Sequence, residues 1–308
     1  MKKTRMLISI LSLLIIAICF TIVIQNFDLY KEKYIIIKNM VTPKKVSIPS
    51  TISNNRNFDF LTVEPTNDFE PKNMDDLKKL YYTVLNNGWT DFTFYCPDEY
   101  TDCFDDVLLL ADNNEYINVI NNYVSTFNQY LKYNTSISQL GEIKLTIEKL
   151  YTNEEILVLK MKISEILKSF NINKDNIKVQ DIMRIHNYIL NLLTYDEEYK
   201  NTDLRSTSAT AYGALNTKKA ICSGYTDLFA LFLDELNIPN FKVSSENHIW
   251  NAIYFGDKWR HIDVTWDDDE INKNNNYNFF MISTDELLSK DSEEHNFNKE
   301  LYLEFLNQ

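Results

Sequence analysis

The chain has 308 residues, 44% apolar and 24% charged, enough to bury one large core or two modest ones. Its net charge is −13, but residues 1–56 carry +7, which leaves −20 on the rest. So acidic a body repels nucleic acid and anionic surfaces, which excludes a DNA or RNA partner.

Lys2, Lys3 and Arg5 precede an uncharged run over residues 6–24. At helical rise that length crosses the hydrocarbon core, and no small-residue cleavage pattern follows it. The residue before Cys19 is Ile18, which argues against a lipoprotein signal. The reading is a cytoplasmic tail at 1–5, a single transmembrane anchor at 6–24 and a body outside the membrane, following the positive-inside bias. A cleaved signal peptide with a secreted body is the alternative. Residues 25–56, with Pro43 and Pro49, read as a loosely structured stalk.

Residues 57–140 read as a mostly helical subdomain, a lid or a packing unit. Leu77, Leu80, Tyr81 and Leu85 recur at helical spacing, and two shorter helical pieces follow at 105–110 and 115–124. Cys96 and Cys103 enclose a short loop and invite a disulfide in an oxidising location, two unpaired thiols being the other option. Were they paired, Cys222 would be the free thiol outside the membrane. No CxxC and no Cys/His cluster of zinc spacing occurs, so neither a metal nor another cofactor is expected.

Residues 141–308 form the second unit. Ile143, Leu145 and Ile147 alternate with polar residues as in a half-exposed strand. Thr152 and Glu155 fit a capping box that opens a helix to about residue 170, and another helix spans about 179–193. His186 lies on that second helix and reads as structural.

The chemistry gathers between residues 213 and 267. From Cys222, the residues Tyr225, Thr226, Phe229, Ala230 and Leu233 follow helical spacing, and Pro239 marks where that helix has ended. Cys222 thus falls in a first turn, where the positive helix end favours thiolates and free N–H groups can receive an oxyanion. A buried structural cysteine would show the same position.

Two alternating runs, 248–255 and 258–265, flank Gly256-Asp257, a two-residue hairpin signal. That loop pairs Phe255 with Lys258, Trp250 with Asp263 and His248 with Thr265. His248 and Asp263 then share a sheet face as diagonal neighbours, roughly 7–8 Å apart at the backbone. An aspartate there can hold one imidazole nitrogen while the other takes a thiol proton. His261 shares the face and is the rival base, though it lies along Asp263's own strand. Trp250, Tyr254 and Trp259 share the face too, to wall a groove or to pack.

The run Ala220-Ile-Cys222-Ser-Gly224-Tyr225, then His248-Ile-Trp250-Asn251, then Trp259-Arg-His-Ile-Asp263-Val-Thr-Trp266-Asp267 resembles the transglutaminase-like superfamily. Tyr195-Asp196 and residues 277–282 fit its bacterial branch. The resemblance implies an α+β, papain-like core, a nucleophile helix packed on an antiparallel sheet, and a Cys222–His248–Asp263 triad that settles His248 over His261. Tyr225, Trp250, Trp259 and Trp266 are candidates for substrate contact. Lys218 stands where relatives often carry glycine, and Thr226 where alanine is common. The acidic run 267–270 lacks the spacing of a calcium loop and reads as a solvated turn, and 285–308 as a helix or two closing the domain.

The expected activity is acyl transfer or hydrolysis on protein or peptide amides through a thioester. A non-catalytic surface module that binds peptide or cell-wall partners is the alternative.

Overall fold

The computed structural model describes residues 46–112, 114–138, 141–199, 207–268 and 277–306, with scattered positions between 16 and 33. The expected anchor over 6–24 lies almost wholly outside the described residues. Among these, no helix is long and apolar enough to cross a membrane.

The first elements are α1 (Met74–Asn86), β1 (Asp91–Tyr95), α2 (Cys103–Asp112), α3 (Asn114–Tyr123), β2 (Tyr130–Ile137) and β3 (Glu142–Lys149). Segment 57–140 therefore holds two strands beside its helices. Both pair antiparallel with β3 in the order β1-β3-β2, so this sheet runs across the boundary drawn at 140/141. Cys96 and Cys103 are joined as a disulfide across Cα atoms 5.8 Å apart.

Helix α4 (Asn153–Phe170) opens on a complete capping box of Thr152 and Glu155 and ends on Asn171 in the left-handed region. Helix α5 (Val179–Leu192) buries Ile182, Ile185 and Ile189. A short parallel pair, β4 (Thr194–Tyr195) and β5 (Lys219–Ala220), flanks α6 (Ala211–Thr217). Lys218 caps α6 at φ 63°, a conformation that costs any side chain but is free for glycine.

Helix α7 (Cys222–Glu235) is buried along nearly its whole length. It lies on the antiparallel sheet β6-β7-β8-β9, formed by Asn240–Ser244, Ile249–Phe255, Lys258–Ile262 and Phe280–Ile282. Gly256 and Asp257, at φ 62° and 61°, close the β7–β8 hairpin, with Phe255 opposite Lys258 and Asn251 opposite Ile262. Positive φ at both central residues gives a turn whose twist matches the strands. The second strand stops earlier than its alternation suggests. Residues 264–267 turn into a short helix, α8 (Val264–Asp267), with Asp263 as its cap.

The pleat divides the two cores. Phe241, Val243, Trp250 and Ala252 face one side, packed with α1, α3 and the tail residues Tyr302 and Phe305. Ile253 and Ile262 face the other side, against α4, α5 and α7. The N-terminal unit thus packs on the back of the sheet that carries the site, as a packing unit rather than a lid.

The stalk expectation needs correction over 46–56. Thr51 accepts from Trp89 Nε1 at 2.7 Å, and Ser53 accepts from Asn128 Nδ2 at 2.6 Å. Arg56 is buried and bonds both oxygens of Asp234 on α7, at 2.8 and 3.0 Å. These polar anchors hold a proline-containing segment that lacks an apolar period of its own.

Removing one partner of a buried ion pair strands the other, at about 3 kcal/mol or more. Arg56→Met is expected to lower the unfolding free energy by that much, read as a lower urea midpoint at unchanged slope. A loss below about 1 kcal/mol, the range of exposed pairs, would show that Arg56 is not an anchor.

Candidate active site

Cys222 is the first residue of α7, half-exposed, and the free cysteine among the described residues. The N–H groups of a helix's first turn have no partner within the helix, so they point past the sulfur toward whatever it attacks. Gly224 makes this placement possible. A Cβ there would lie 2.5 Å from the Ser208 carbonyl oxygen, so only glycine lets the 207–209 turn approach the helix. The same turn receives Ile221 N–H at Ser208 O and Ser223 Oγ at Ala209 O.

Thr226 and Asp227 fix the helix to the sheet. Thr226 Oγ1 donates to Ile249 O at 2.9 Å, and Asn251 Nδ2 donates to Thr226 O at 3.1 Å. The Thr226 hydroxyl therefore ties the cysteine's helix to the start of the histidine's strand. Asp227 pairs with buried Lys242 of β6, which also donates to Gln129 Oε1 at 2.7 Å.

His248 immediately precedes β7 and Asp263 immediately follows β8, so both stand at the same end of the hairpin. Their side chains meet, with Nε2 of His248 2.5 Å from Oδ2 of Asp263. Cys222 acts on the same ring, raising it toward its charged form. Since Nε2 is taken, Nδ1 is the nitrogen left for the sulfur. The ring stacks on Trp250 with centroids 5.7 Å apart.

Asp263 accepts four hydrogen bonds. Oδ1 takes Thr265 N–H and Trp266 N–H at 2.9 and 3.1 Å, which caps α8, and Oδ2 takes His248 and His295, the latter at 2.9 Å. Burial alone would push its carboxyl upward. The charge and hydrogen bond of His248, with the His295 bond, outweigh burial and hold it well below the usual carboxylate range. Burial likewise works against a charged His248, but Asp263 and then Cys222 push that ring up to about 10.

His261 is settled differently. It is fully buried, Nδ1 accepts from Trp250 Nε1 at 3.0 Å, and Nε2 faces Thr284 Oγ1 at 3.0 Å. Burial, and next the His295 charge, push it down to about 3. It is a neutral prop for the indole under His248. His186 is also fully buried, with Nε2 3.1 Å from Asp267 Oδ2.

A cleft of about 730 Å³ opens beside His248, lined by Leu193, Tyr195, Glu197, Trp266, Asp268 and Glu294 among others. Of the four aromatic candidates for substrate contact, Trp266 lines it. Trp250 and Tyr225 are fully buried, the Tyr225 hydroxyl donating to Asp268, and Trp259 packs on Phe241 at 4.7 Å. The acidic run is no solvated turn at its start. Asp267 is buried and accepts from Asn278 and Phe279 N–H at 2.8 and 3.0 Å. Residues 269–270 lie outside the described residues.

His295 was not singled out by sequence. It sits in the tail after α9 (Thr284–Lys290), in a stretch with no motif. With His248 and Asp263 it forms a group whose donor atoms all lie within 4.8 Å of one another. The 2.5 and 2.9 Å contacts within it are proton-sharing distances. Two ligands on a tetrahedral zinc stand roughly 3.3 Å apart, so the group as built fits protons better than an ion.

The family model of the transglutaminase-like superfamily matches residues 168–264, which hold the cysteine helix and the hairpin. The chain carries a transglutaminase-like domain. No curated protein matches it. Among solved structures, a protein named as a TGase is similar at 17% identity and a TM-score of 0.33, over 44% of each chain. A candidate cysteine protease from Cytophaga hutchinsonii is similar at 14% identity and a TM-score of 0.28, over 44% of this chain and 61% of that one. The chain thus spans about half the length of these structures, and at such scores the likenesses carry no argument.

The transglutaminase-like domain's buried His–Asp pair sets a pH signature. His248 is raised above its ordinary value of about 6.5, so its contribution to stability is full below that pH and is lost as the pH climbs toward 10. Asp263 is displaced downward, so its contribution is present above about pH 4 and is lost as the pH falls further. The stability gap between wild type and Asp263→Asn, read from urea midpoints, is expected to be widest between about pH 4 and 6.5. A gap that stays constant from pH 4 to 10 would show that the pair does not share charge in the folded chain.

Proposed function

We propose that the chain is a thiol-dependent acyl-transfer enzyme acting on protein or peptide amides. The observation that carries the reading is the convergence at one hairpin end. His248 is held at Nε2 by a buried carboxylate, while its ring bears on a helix-start cysteine.

The chemistry follows from that arrangement. The Cys222 sulfur, as thiolate, attacks the amide carbonyl carbon, and the first-turn N–H groups receive the oxyanion. As the tetrahedral species collapses, the C–N bond breaks, the imidazolium of His248 gives its proton to the leaving amine, and a thioester remains. Water or a primary amine then passes a proton to His248, attacks the thioester and releases the thiolate. Water gives hydrolysis and an amine gives transfer. Asp263 keeps Nδ1 aimed at the sulfur throughout.

The reading places the domain outside the membrane, tethered or released at its N-terminal segment. A disulfide between Cys96 and Cys103 suits an oxidising compartment and leaves Cys222 as the available thiol.

A mixed peptide library offered with and without a primary amine, with products resolved by mass, tests the reaction. Cys222→Ala is expected to remove cleaved, deamidated and cross-linked products alike, by roughly a thousandfold or more in rate. Wild-type Cys222 is expected to alkylate far faster than a free model thiol at pH 7. A rate no faster would favour a binding module instead.

The cleft itself selects for charge. Glu197, Asp268 and Glu294 line it, with no Lys or Arg among its described lining residues. Peptides with basic flanks are therefore expected to outcompete acidic ones several-fold at low salt, and the preference to shrink as salt screens it. Equal turnover of both at low salt would show that the carboxylates do not meet the substrate.

A further inference from the structure

Asp263 is shared by two imidazoles, and the reaction outlined above uses one. The second, His295, is fully buried in an aromatic box. It stacks on Phe279 at 5.2 Å and stands edge-on to Trp250 at 4.8 Å, Trp266 at 5.2 Å and His248 at 5.2 Å. Its Nε2 lies 2.9 Å from Asp263 Oδ2, and its Nδ1 lies 2.7 Å from Asp291 Oδ2.

Asp291 is anchored in turn. Its carboxylate accepts the backbone N–H of Glu293 at 3.3 Å, and those of Glu294 and His295 at 3.1 Å each. A packing histidine needs one partner at most. This one has a carboxylate oxygen at each nitrogen, and an ionised carboxylate only accepts, so the arrangement is complete when both nitrogens donate.

We infer that His295, clamped by Asp291, is a positioning residue of the acyl-transfer site. It holds Asp263 Oδ2 toward His248 and sets a second cation against the same carboxylate. This rests on the acyl-transfer reading of Cys222 and His248. The consequence is a limit on how tightly His248 keeps its proton. The charged and titratable groups around the pair are Asp263 at the cap of α8, Asp291 after α9, His261 on β8, Cys222 on α7 and Lys299 in the tail. His248 and His295 are the two rings that touch Asp263 directly.

A gain in function from such a clamp is intelligible. An imidazolium bound too firmly to its aspartate gives up its proton poorly to the leaving amine. A second donor on the same oxygen weakens the first without releasing the ring's orientation.

The test is the pH profile of Cys222 alkylation by iodoacetamide on the full chain, which needs no identified substrate. The upper step of that profile reports loss of the His248 proton. His295→Gln keeps an N–H toward Asp263 and drops the charge, so the upper step is expected to move to higher pH by about half a unit or more. A merely structural residue would lower the melting temperature and leave that step in place, which would overturn the inference.

Should the variant not fold, nitrogen-15 labelling of the four histidines reads the wild type directly. A ring protonated at both nitrogens from pH 6 to 9, in contact with Asp263, is expected for His295. A single ring proton at pH 7 would overturn the proposal. Failure of the underlying activity has a different mark, namely wild-type Cys222 reacting no faster than a free thiol while the His295 ring still carries both protons.

Discussion

The structure around the site depends on one buried carboxylate. Asp263 is 1% exposed, and an isolated charge in that place would cost several kcal/mol. Four donors offset the cost, and they belong to three structural commitments. The two backbone donors end strand β8 and start α8. One histidine belongs to the start of β7, the other to the C-terminal tail. The carboxylate thus joins the hairpin end, the short helix and the last segment of the chain. The residue that holds His248 also determines where the strand stops.

Cys222 is placed by a separate set of constraints, all on the first turns of α7. Gly224 admits the 207–209 turn, Thr226 ties the helix to Ile249 beside His248, and Asp227 binds Lys242 from below the sheet. The last of these puts a buried ion pair inside an otherwise apolar interface. Burial pulls the lysine down while Asp227 holds it up, so the pair stays together only in one register of helix on sheet. Apolar packing alone would tolerate a small slide along the helix. A polar lock with a fixed donor and acceptor does not.

Much of this was legible in the sequence where local rules are strong. The Gly256-Asp257 turn fixed the hairpin register, because only two positive φ values close a two-residue loop with the right twist. The capping box at Thr152 and Glu155 fixed where α4 begins. Alternation misled at residues 264–265, which continue a strand pattern while an aspartate that can cap a helix precedes them. A side chain able to serve as orienter and cap at once gives no separate signal for each. The acidic run failed for a related reason, since four carboxylates in a row look solvated until the buried N–H groups that need them come from residues 278 and 279. The sheet across residue 140 and the role of His295 depend on contacts distant in sequence. No spacing rule reaches from 263 to 295.

The order of charges along the site explains how so much of it can be dry. From the sulfur inward the row runs Cys222, His248, Asp263, His295, Asp291, alternating in sign when the thiolate is present. Each internal member has an opposite charge on both sides, at hydrogen-bond distance along the run from His248 to Asp291. In a low-dielectric interior such alternation replaces the hydration that burial removes. The far end is stabilised by backbone N–H groups on Asp291, so the row does not need water there either. The near end is the exception. Cys222 is half-exposed and bears on His248. On the acyl-transfer reading proposed above, a carbonyl entering there would meet a sulfur whose partners are already fixed, so little of the site would have to reorganise.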